Sequence, residues 1–271
     1  MDRNLARREL EQILIPAAGE EAGLEAGFML EQVLGRRTSR PVTAEDWMQL
    51  SAMVRRRLTG EPLQYILGEW AFMGLPMRVG PGALIPRPET ELLCELALKE
   101  IKPGDMVLDL CCGTGCLGVA LGKLGGAKVT FSDISGEALA LARENARING
   151  VEGVFLQGDL LEPVKADTFA CILCNPPYLT ETEMNFLQKE LTFEPAQALY
   201  GGKDGLDFYR AILRHWPAVL HPGSRLYFEV GIGQADDVLR LMRSVGFGDL
   251  EILPDPAGIP RVVLGALYQE I

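Results

Sequence analysis

The alternation of strand and helix signals in residues 104–271 is the feature that most constrains the fold. Short apolar runs alternate there with longer segments whose apolar residues recur at helical spacing. This pattern predicts an α/β domain with a doubly wound, mostly parallel seven-stranded sheet and crossover helices. The predicted strands cover residues 106–110, 128–132, 154–156, 169–174, 225–230, 249–253 and 261–267. The predicted helices between them cover residues 115–124, 135–149, 206–220 and 234–245.

The residues before this domain have a different character. Residues 1–68 carry helical signals only, including Thr43 as the N-cap of a helix with acidic residues in its first turn. Residues 69–88 read as two short strands around a glycine turn, followed by a proline-rich extended segment. The sequence therefore predicts a small all-helical N-terminal domain (1–68), a β-hairpin connector (69–88) and an α/β domain (89–271).

Charge and cysteine content limit the possible partners. The 271 residues carry a formal net charge of -11, which disfavours stable nucleic-acid binding through many phosphate contacts. The charged amino terminus contains no signal peptide and no membrane span, so we expect a cytoplasmic protein without membrane contact. Cys171 and Cys174 have the spacing of half a zinc site, but residues three apart on a strand face opposite sides. We expect reduced, buried thiols and no metal.

Glycines and acidic residues follow the predicted strands. Gly113-x-Gly115-x-x-Gly118 comes after the first strand and matches a dinucleotide-binding fingerprint, which is weak evidence when found alone. Asp133 follows the second strand, where a carboxylate accepts hydrogen bonds from ribose hydroxyls. The alternative for Asp133 is a role as helix N-cap, which Ser135 could fill equally well. Together the glycines and Asp133 predict a nucleoside ligand.

The third strand is followed by Asp159 and Leu160. An acid at this position can accept a hydrogen bond from an adenine amino group, and an apolar neighbour can cover the ring. An ordinary loop acid is an equally good interpretation of Asp159.

The fourth strand, residues 169–174, ends at Asn175-Pro176-Pro177-Tyr178. Two prolines end the strand pairing, and a proline keeps the residue before it extended. Asn175 offers a side-chain carbonyl, Pro176 a backbone carbonyl and Tyr178 an aromatic face, a combination that can hold a planar amine. An incidental turn is the alternative when the four residues are considered alone.

These motifs, in this order, resemble those of class I S-adenosylmethionine-dependent methyltransferases that modify an amide or exocyclic amine nitrogen. Residues 61–68, 85–91, 201–206 and 228–234 are further similar to the HemK/PrmC family of peptide chain release factor glutamine N5-methyltransferases. The resemblance extends over nearly the whole chain. It implies a class I methyltransferase fold, S-adenosylmethionine as cofactor with S-adenosylhomocysteine as product, and a class I peptide chain release factor as partner.

The resemblance also implies roles for individual residues. Cofactor binding falls to Cys111, Cys112, Gly113, Thr114, Gly115, Asp133, Asp159, Leu160 and Asn175. Substrate binding falls to Asn175, Pro176, Pro177 and Tyr178, of which Asn175, Pro176 and Tyr178 are the expected catalytic residues. The family usually has small residues, often Gly-Thr, where this chain has Cys111-Cys112. Cysteine is compact, so we expect cofactor binding to survive.

Other functions account for part of the sequence. An NAD-dependent oxidoreductase explains the glycines and Asp133 but leaves residues 175–178 without a role. A DNA adenine-N6 methyltransferase shares those four residues but needs a flipped base and a basic track, which this acidic chain does not offer. A glutamine methyltransferase of a ribosomal protein uses the same chemistry and is the closest alternative. A non-catalytic binding module does not explain why Asn175 and Asp133 occur together.

Overall fold

The computed structural model describes residues 1–35, 40–164, 168–215 and 219–267. The chain divides into two compact units. The first, called here the helical unit, comprises Met1–Glu69 and Gln188–Phe193; the second, called the sheet unit, comprises Trp70–Leu187 and Glu194–Ile271. Within the described ranges, no helix combines the length and the apolar character needed to cross a bilayer.

The described residues of the helical unit form the helices α1 (Arg3–Ala18), α2 (Ala22–Leu34), α3 (Ala44–Leu58) and α4 (Leu63–Leu67). Thr43 caps α3 as predicted, because its hydroxyl accepts from the Asp46 amide while the Asp46 carboxylate accepts from the Thr43 amide. Arg57 is buried in this unit and forms ion pairs with Glu25 and with Glu190, a residue of the 188–193 segment. That segment is therefore anchored in the helical unit by charge as well as by packing.

The predicted hairpin is confirmed. It consists of β1 (Glu69–Phe72) and β2 (Leu75–Arg78), joined by Met73 and Gly74. Both joining residues have positive φ, 50° and 73°, which is the geometry of the two-residue turn that matches the twist of paired strands.

Over the described ranges the sheet has seven strands, in the order β5-β4-β3-β6-β7-β9-β8. It is parallel except for β9, which runs antiparallel to both of its neighbours, so the predicted α/β class is confirmed. The strands are β3 (Met106–Leu110), β4 (Lys128–Asp133), β5 (Gly153–Gln157), β6 (Phe169–Cys174), β7 (Leu220–Glu229), β8 (Phe247–Pro254) and β9 (Pro260–Leu267).

Helices cover both faces of the sheet. They are α5 (Pro88–Leu98), α6 (Cys116–Gly125), α7 (Gly136–Asn149), α9 (Asp207–His215) and α10 (Ala235–Ser244). The short helix α8 (Glu181–Met184) has no buried residue and belongs to neither core. Short 3₁₀ turns occur at Gly19–Glu21, Glu162–Val164, Lys189–Phe193 and Ala196–Ala198. Alternate strand residues enter two separate cores: Val107 and Cys171 pack with α5, α6 and α7, whereas Leu108 and Ile172 pack with α9 and α10.

The helix predicted over residues 206–220 is wrong at its C-terminal end. Helix α9 ends at His215, residues 216–218 lie outside the described ranges, and Leu220 already pairs with Phe169 as the first residue of β7. The Pro222-Gly223 pair, which reads as a turn in the sequence, lies inside this longer strand, where the register between β6 and β7 shifts. An irregularity there is expected because Pro222 cannot donate to a neighbouring strand and Gly223 has φ 90°.

Candidate active site

A cavity of about 440 Å³ opens where strands β3, β4 and β6 end. The strand order reverses at β3, and ligands of parallel α/β sheets bind at such a reversal, beyond the carboxyl ends of the strands. The volume lies within the range of small-molecule sites. Among the residues predicted for the site, those that line this cavity are Cys111, Cys112, Gly113, Thr114, Asp133, Asp159, Leu160, Asn175 and Pro177. Gly115, Pro176 and Tyr178 do not line it.

The three glycines of the fingerprint have different roles. Gly113 lines the cavity with φ 52°. A Cβ atom on Gly115 would lie 2.8 Å from the Cβ of Ala142, and one on Gly118 would lie 2.4 Å from the Phe131 ring. Gly115 and Gly118 therefore permit α6 to pack closely against α7 and β4, and this packing sets the position of the Gly113 backbone.

Asp133 organises the loop that carries Gly113. One carboxylate oxygen accepts from the Gly113 amide at 2.8 Å, and the other accepts from the Ser135 amide at 2.9 Å. Burial raises the pKa of Asp133, while these backbone hydrogen bonds lower it. The N-cap role falls to Ser135, whose hydroxyl accepts from the Ala138 amide at 3.2 Å. Asp133 faces the cavity as well, so its remaining lone pairs can accept from ligand hydroxyls.

Asp109 is a site residue that the sequence interpretation missed. Its side chain is 1% exposed and lines the cavity. One oxygen accepts from the Gly118 amide at 2.8 Å, whereas Oδ1 has no partner among the described residues. Burial, and secondarily the charge of Asp133, raise the pKa of Asp109 well above its ordinary value. A buried carboxylate oxygen without a partner is costly, and a cationic ligand group would satisfy it.

Asn175 presents a second unsatisfied oxygen. Its side-chain NH₂ group donates to the Thr90 hydroxyl at 3.2 Å, while Oδ1 is buried without a partner among the described residues. The segment after Asn175 is fixed by Gln234, whose side-chain amide donates to the Tyr178 carbonyl at 2.9 Å and accepts from the Gly231 amide at 3.0 Å. The loop after β7 thus holds the loop after β6 in place.

Glu229, the last residue of β7, lies within hydrogen-bonding distance of both Thr90 and Tyr178. The Thr90 hydroxyl donates to Glu229 Oε2 at 2.6 Å, and the Tyr178 hydroxyl lies 3.4 Å from Oε1. Burial raises the pKa of Glu229 to about 7, although the Thr90 hydrogen bond and the charge of Arg261 oppose the rise. Thr90 was not predicted as a site residue, although it lies in residues 85–91, whose resemblance to the family implied no role for this threonine.

Residues 82–87 form another wall of the cavity that the sequence did not predict. They are held by Glu194, which accepts from the Ile85 amide at 2.9 Å and forms an ion pair with Arg87. Ile134 also lines the cavity although 59% of it is exposed, and it offers an apolar surface directly after Asp133.

Cys111 adopts a conformation that favours glycine. Its φ is 56°, and the left-handed region costs a residue with a Cβ atom about 1–2 kcal/mol. The residue nevertheless lines the cavity, and its neighbour Cys112 is buried. All the cysteines are free thiols. Within the described residues, His, Cys, Asp and Glu side chains form no group of three that could hold a metal ion.

The chain is similar to known proteins along most of its length. Residues 88–203 match the family model "Methyltransferase small domain", and residues 5–68 match "PrmC N-terminal domain". A release factor glutamine methyltransferase of Geobacter sulfurreducens is 41% identical over 97% of this chain and 90% of its own. One of Thermodesulfovibrio yellowstonii is 42% identical over 82% of each chain. The solved structure of a methyltransferase from Pyrococcus furiosus, 16% identical, covers 84% of this chain and is itself covered completely, with a TM-score of 0.58.

Proposed function

Because the chain belongs to the release factor glutamine methyltransferase family, we propose that it methylates a class I peptide chain release factor. The methyl group passes from S-adenosylmethionine to the side-chain amide nitrogen of the glutamine in the Gly-Gly-Gln loop. The observation that carries the proposal is Asn175, which lines the cavity after β6 and whose buried Oδ1 has no partner among the described residues. Release factors act in translation, so the proposal includes a cytoplasmic location.

The cavity has the acceptors that this cofactor requires. The unpartnered Asp109 Oδ1 suits the ammonium of its methionine part, and Asp133 suits its ribose hydroxyls. Leu160 and Ile134 supply apolar surface for its adenine, with Asp159 as acceptor for the adenine amino group. Gly113 admits the ligand close to the backbone. When bound, S-adenosylmethionine supplies an electrophilic methyl group on a sulfonium.

Asn175 and Pro176 orient the substrate nitrogen. A glutamine amide is a weak nucleophile because its lone pair is delocalised into the carbonyl. In this proposal Asn175 Oδ1 accepts one of its N–H hydrogens and the Pro176 carbonyl, which does not itself line the cavity, accepts the other, so that the nitrogen is fixed and positive charge developing on it is favoured. Alignment contributes several kcal/mol to such a reaction, and acceptors directed at developing charge contribute more. Pro177 and Tyr178 complete the substrate site, with Tyr178 held by Gln234.

The choice of glutamine over a nucleobase rests on charge and family. An acceptor pair for a planar amine suits adenine as well as glutamine, but a net charge of -11 opposes contact with nucleic acid. A glutamine of a ribosomal protein is the second candidate, since the same chemistry serves it. We assign to residues 1–68 the role of binding the release factor at a surface other than its Gly-Gly-Gln loop.

Radiolabelled cofactor tests the proposal directly. The acceptors compared are an intact class I release factor, its form with the loop glutamine replaced, ribosomal protein and DNA. We expect label in the intact factor alone. Equal label in both factor forms, or label only in ribosomal protein or DNA, would refute the assignment. Calorimetry with S-adenosylmethionine and with NAD tests the cofactor, and binding of NAD alone would exclude a methyltransferase.

The docking role of the helical unit has a separate test. Met48 on α3 is 72% exposed, so Met48→Glu places a charge on this surface without disturbing a core. If this surface docks the factor, the Michaelis constant should rise for the intact factor and stay unchanged for a short Gly-Gly-Gln peptide. A rise for both substrates would indicate an effect on the fold.

A further inference from the structure

Glu229, Thr90 and Asn175 form a chain of hydrogen bonds that ends at the cavity. Glu229 Oε2 lies 2.6 Å from Thr90 Oγ1, which lies 3.2 Å from Asn175 Nδ2. Glu229 and Thr90 are 1% and 3% exposed, so water does not compete for these bonds. At the far end, Asn175 Oδ1 has no hydrogen-bond partner within the part of the chain that the structure describes.

The chemistry of the three groups determines the direction of this chain. An ionised carboxylate only accepts, so the single hydroxyl hydrogen of Thr90 is directed to Glu229. Thr90 Oγ1 can then only accept from its other neighbour, and the NH₂ end of the Asn175 amide is the end that donates. The two ends of an amide have nearly the same shape, so hydrogen-bond partners decide which of them turns inward. Here they leave the oxygen as the amide end that Thr90 does not hold, at a residue that lines the cavity.

We propose that Thr90, oriented by the Glu229 carboxylate, is a positioning residue that holds the Asn175 amide with its oxygen toward the substrate. The inference rests on the proposed function, because an inward oxygen is useful only when the acceptor of the methyl group presents N–H hydrogens. With the amide reversed, its NH₂ group would oppose the NH₂ group of a glutamine. Thr90 and Glu229 thereby select substrates whose reacting nitrogen can donate an N–H hydrogen to Asn175 Oδ1.

Protonation of Glu229 removes the constraint on the orientation of the Asn175 amide. A protonated carboxyl group can donate to Thr90, and the Thr90 hydrogen then becomes available for the Asn175 oxygen. Burial places the pKa of Glu229 at about 7, so the switch falls in an accessible pH range. Several titratable groups around Glu229 affect its charge or respond to it. They are Glu89 on α5, Cys116 on α6, Tyr209 on α9, Arg261 on β9 and Tyr178 in the segment after β6. Of these, Arg261 lowers the pKa of Glu229 and Glu89 raises it.

Substitutions at Thr90 separate hydroxyl chemistry from packing. Thr90→Val keeps the shape of the side chain and removes the hydroxyl. We therefore expect kcat to fall about 10- to 100-fold, a smaller decrease than the one that follows removal of a charge-stabilising group itself. The dissociation constant of S-adenosylmethionine should change less than about threefold. Thr90→Ser should restore kcat. The matched control is Thr130→Val, the same change at a buried threonine of β4 that does not line the cavity.

The pH dependence of kcat/KM tests the role of Glu229. The wild type should lose activity as the pH falls below about 7, because kcat/KM reports ionisation in the free enzyme. The NH₂ end of Glu229→Gln can donate to Thr90 as a protonated carboxyl does, so this variant should show the reduced activity of the acidic wild type at every pH and no acidic limb. Persistence of the same limb in Glu229→Gln would overturn the role of Glu229.

A spectroscopic measurement tests the positioning without any turnover. The ¹⁵N-labelled side-chain NH₂ signal of Asn175, identified by its absence in Asn175→Asp, should exchange slowly in the wild type and in Thr90→Ser. It should exchange rapidly in Thr90→Val. Unchanged exchange of the Asn175 NH₂ signal together with unchanged kcat in Thr90→Val would overturn the proposal. A loss of slow exchange and of kcat in Thr90→Ser or Thr130→Val that equals the loss in Thr90→Val would also overturn it. If the wild type shows the slow signal but methylates no glutamine, the proposed function fails and the positioning stands.

Discussion

Glu229→Gln should stabilise the protein at alkaline pH, and the gain should vanish in acid. Glu229 is 1% exposed, and the charge of Arg261 only partly compensates for its burial, which raises its pKa from the ordinary 4.5 to about 7. Ionising this group therefore costs folding free energy. A glutamine can accept the same hydrogen bond from Thr90 without carrying a charge.

The magnitude follows from the two pKa values. The difference between 4.5 and about 7 corresponds to about 3 kcal/mol. Because the folded pKa is the higher one, the native state binds more protons between these values, and the stability of the wild type falls as the pH rises through that window. About 2 kcal/mol of the difference lies between pH 5.5 and pH 8.5 by the same relation, a range that stays above the sequence pI of about 4.8.

Denaturant unfolding of the wild type and of Glu229→Gln across this range measures the effect. The difference in unfolding free energy should grow in favour of the variant by about 2 kcal/mol from pH 5.5 to pH 8.5. The control is Glu251→Gln, the same change at an exposed residue of β8, for which the difference should stay constant. A difference for Glu229→Gln that is independent of pH would refute the reasoning, because the buried carboxyl would then titrate alike in both states.

Three further substitutions probe the site. Asn175→Ala should lower kcat about 100-fold or more while the cofactor dissociation constant, measured by calorimetry, changes less than about tenfold, since the interaction belongs mainly to the transition state. Gly118→Ala should lower the melting temperature, because its Cβ would lie 2.4 Å from the buried Phe131 ring, whereas Gly80→Ala, with open space around it, should not. Cys111→Val should destabilise the protein by about 1 kcal/mol or more relative to Cys111→Gly in thermal unfolding, because φ 56° is least tolerated by a β-branched residue; equal stability would contradict this.

Strand ends and local turn chemistry could be predicted from the sequence. The apolar run before Asn175 marks a buried strand, and two prolines mark where it stops, so the position of this residue at the sheet edge required only local information. The same holds for Gly113, three positions after the end of β3, and for Asp133, the last residue of β4. Parallel pairing then brings these strand ends together.

Thr90, which holds the Asn175 amide, could not be predicted in this way, whereas Glu229 at a strand end near Asn175 could be interpreted equally well as a supporting carboxylate or as a structural acid. Thr90 is 85 positions from Asn175 and 139 positions from Glu229, and a buried threonine in a helix carries no local signal. The end of α9 was mispredicted for a related reason. Pairing of Leu220 with Phe169 overrides the turn propensity of Pro222 and Gly223, and such pairing is a tertiary effect.

The position of the transferred methyl group tests the proposed function most directly. Wild-type protein and Asn175→Ala are each incubated with S-adenosylmethionine and an intact class I release factor, and the Gly-Gly-Gln peptide of the factor is then fragmented in a mass spectrometer. We predict the mass of one added methyl group on the side-chain amide of the glutamine with the wild type, and almost none with Asn175→Ala. A methyl group on any other residue, or an equal yield with both proteins, would contradict glutamine methylation directed by Asn175.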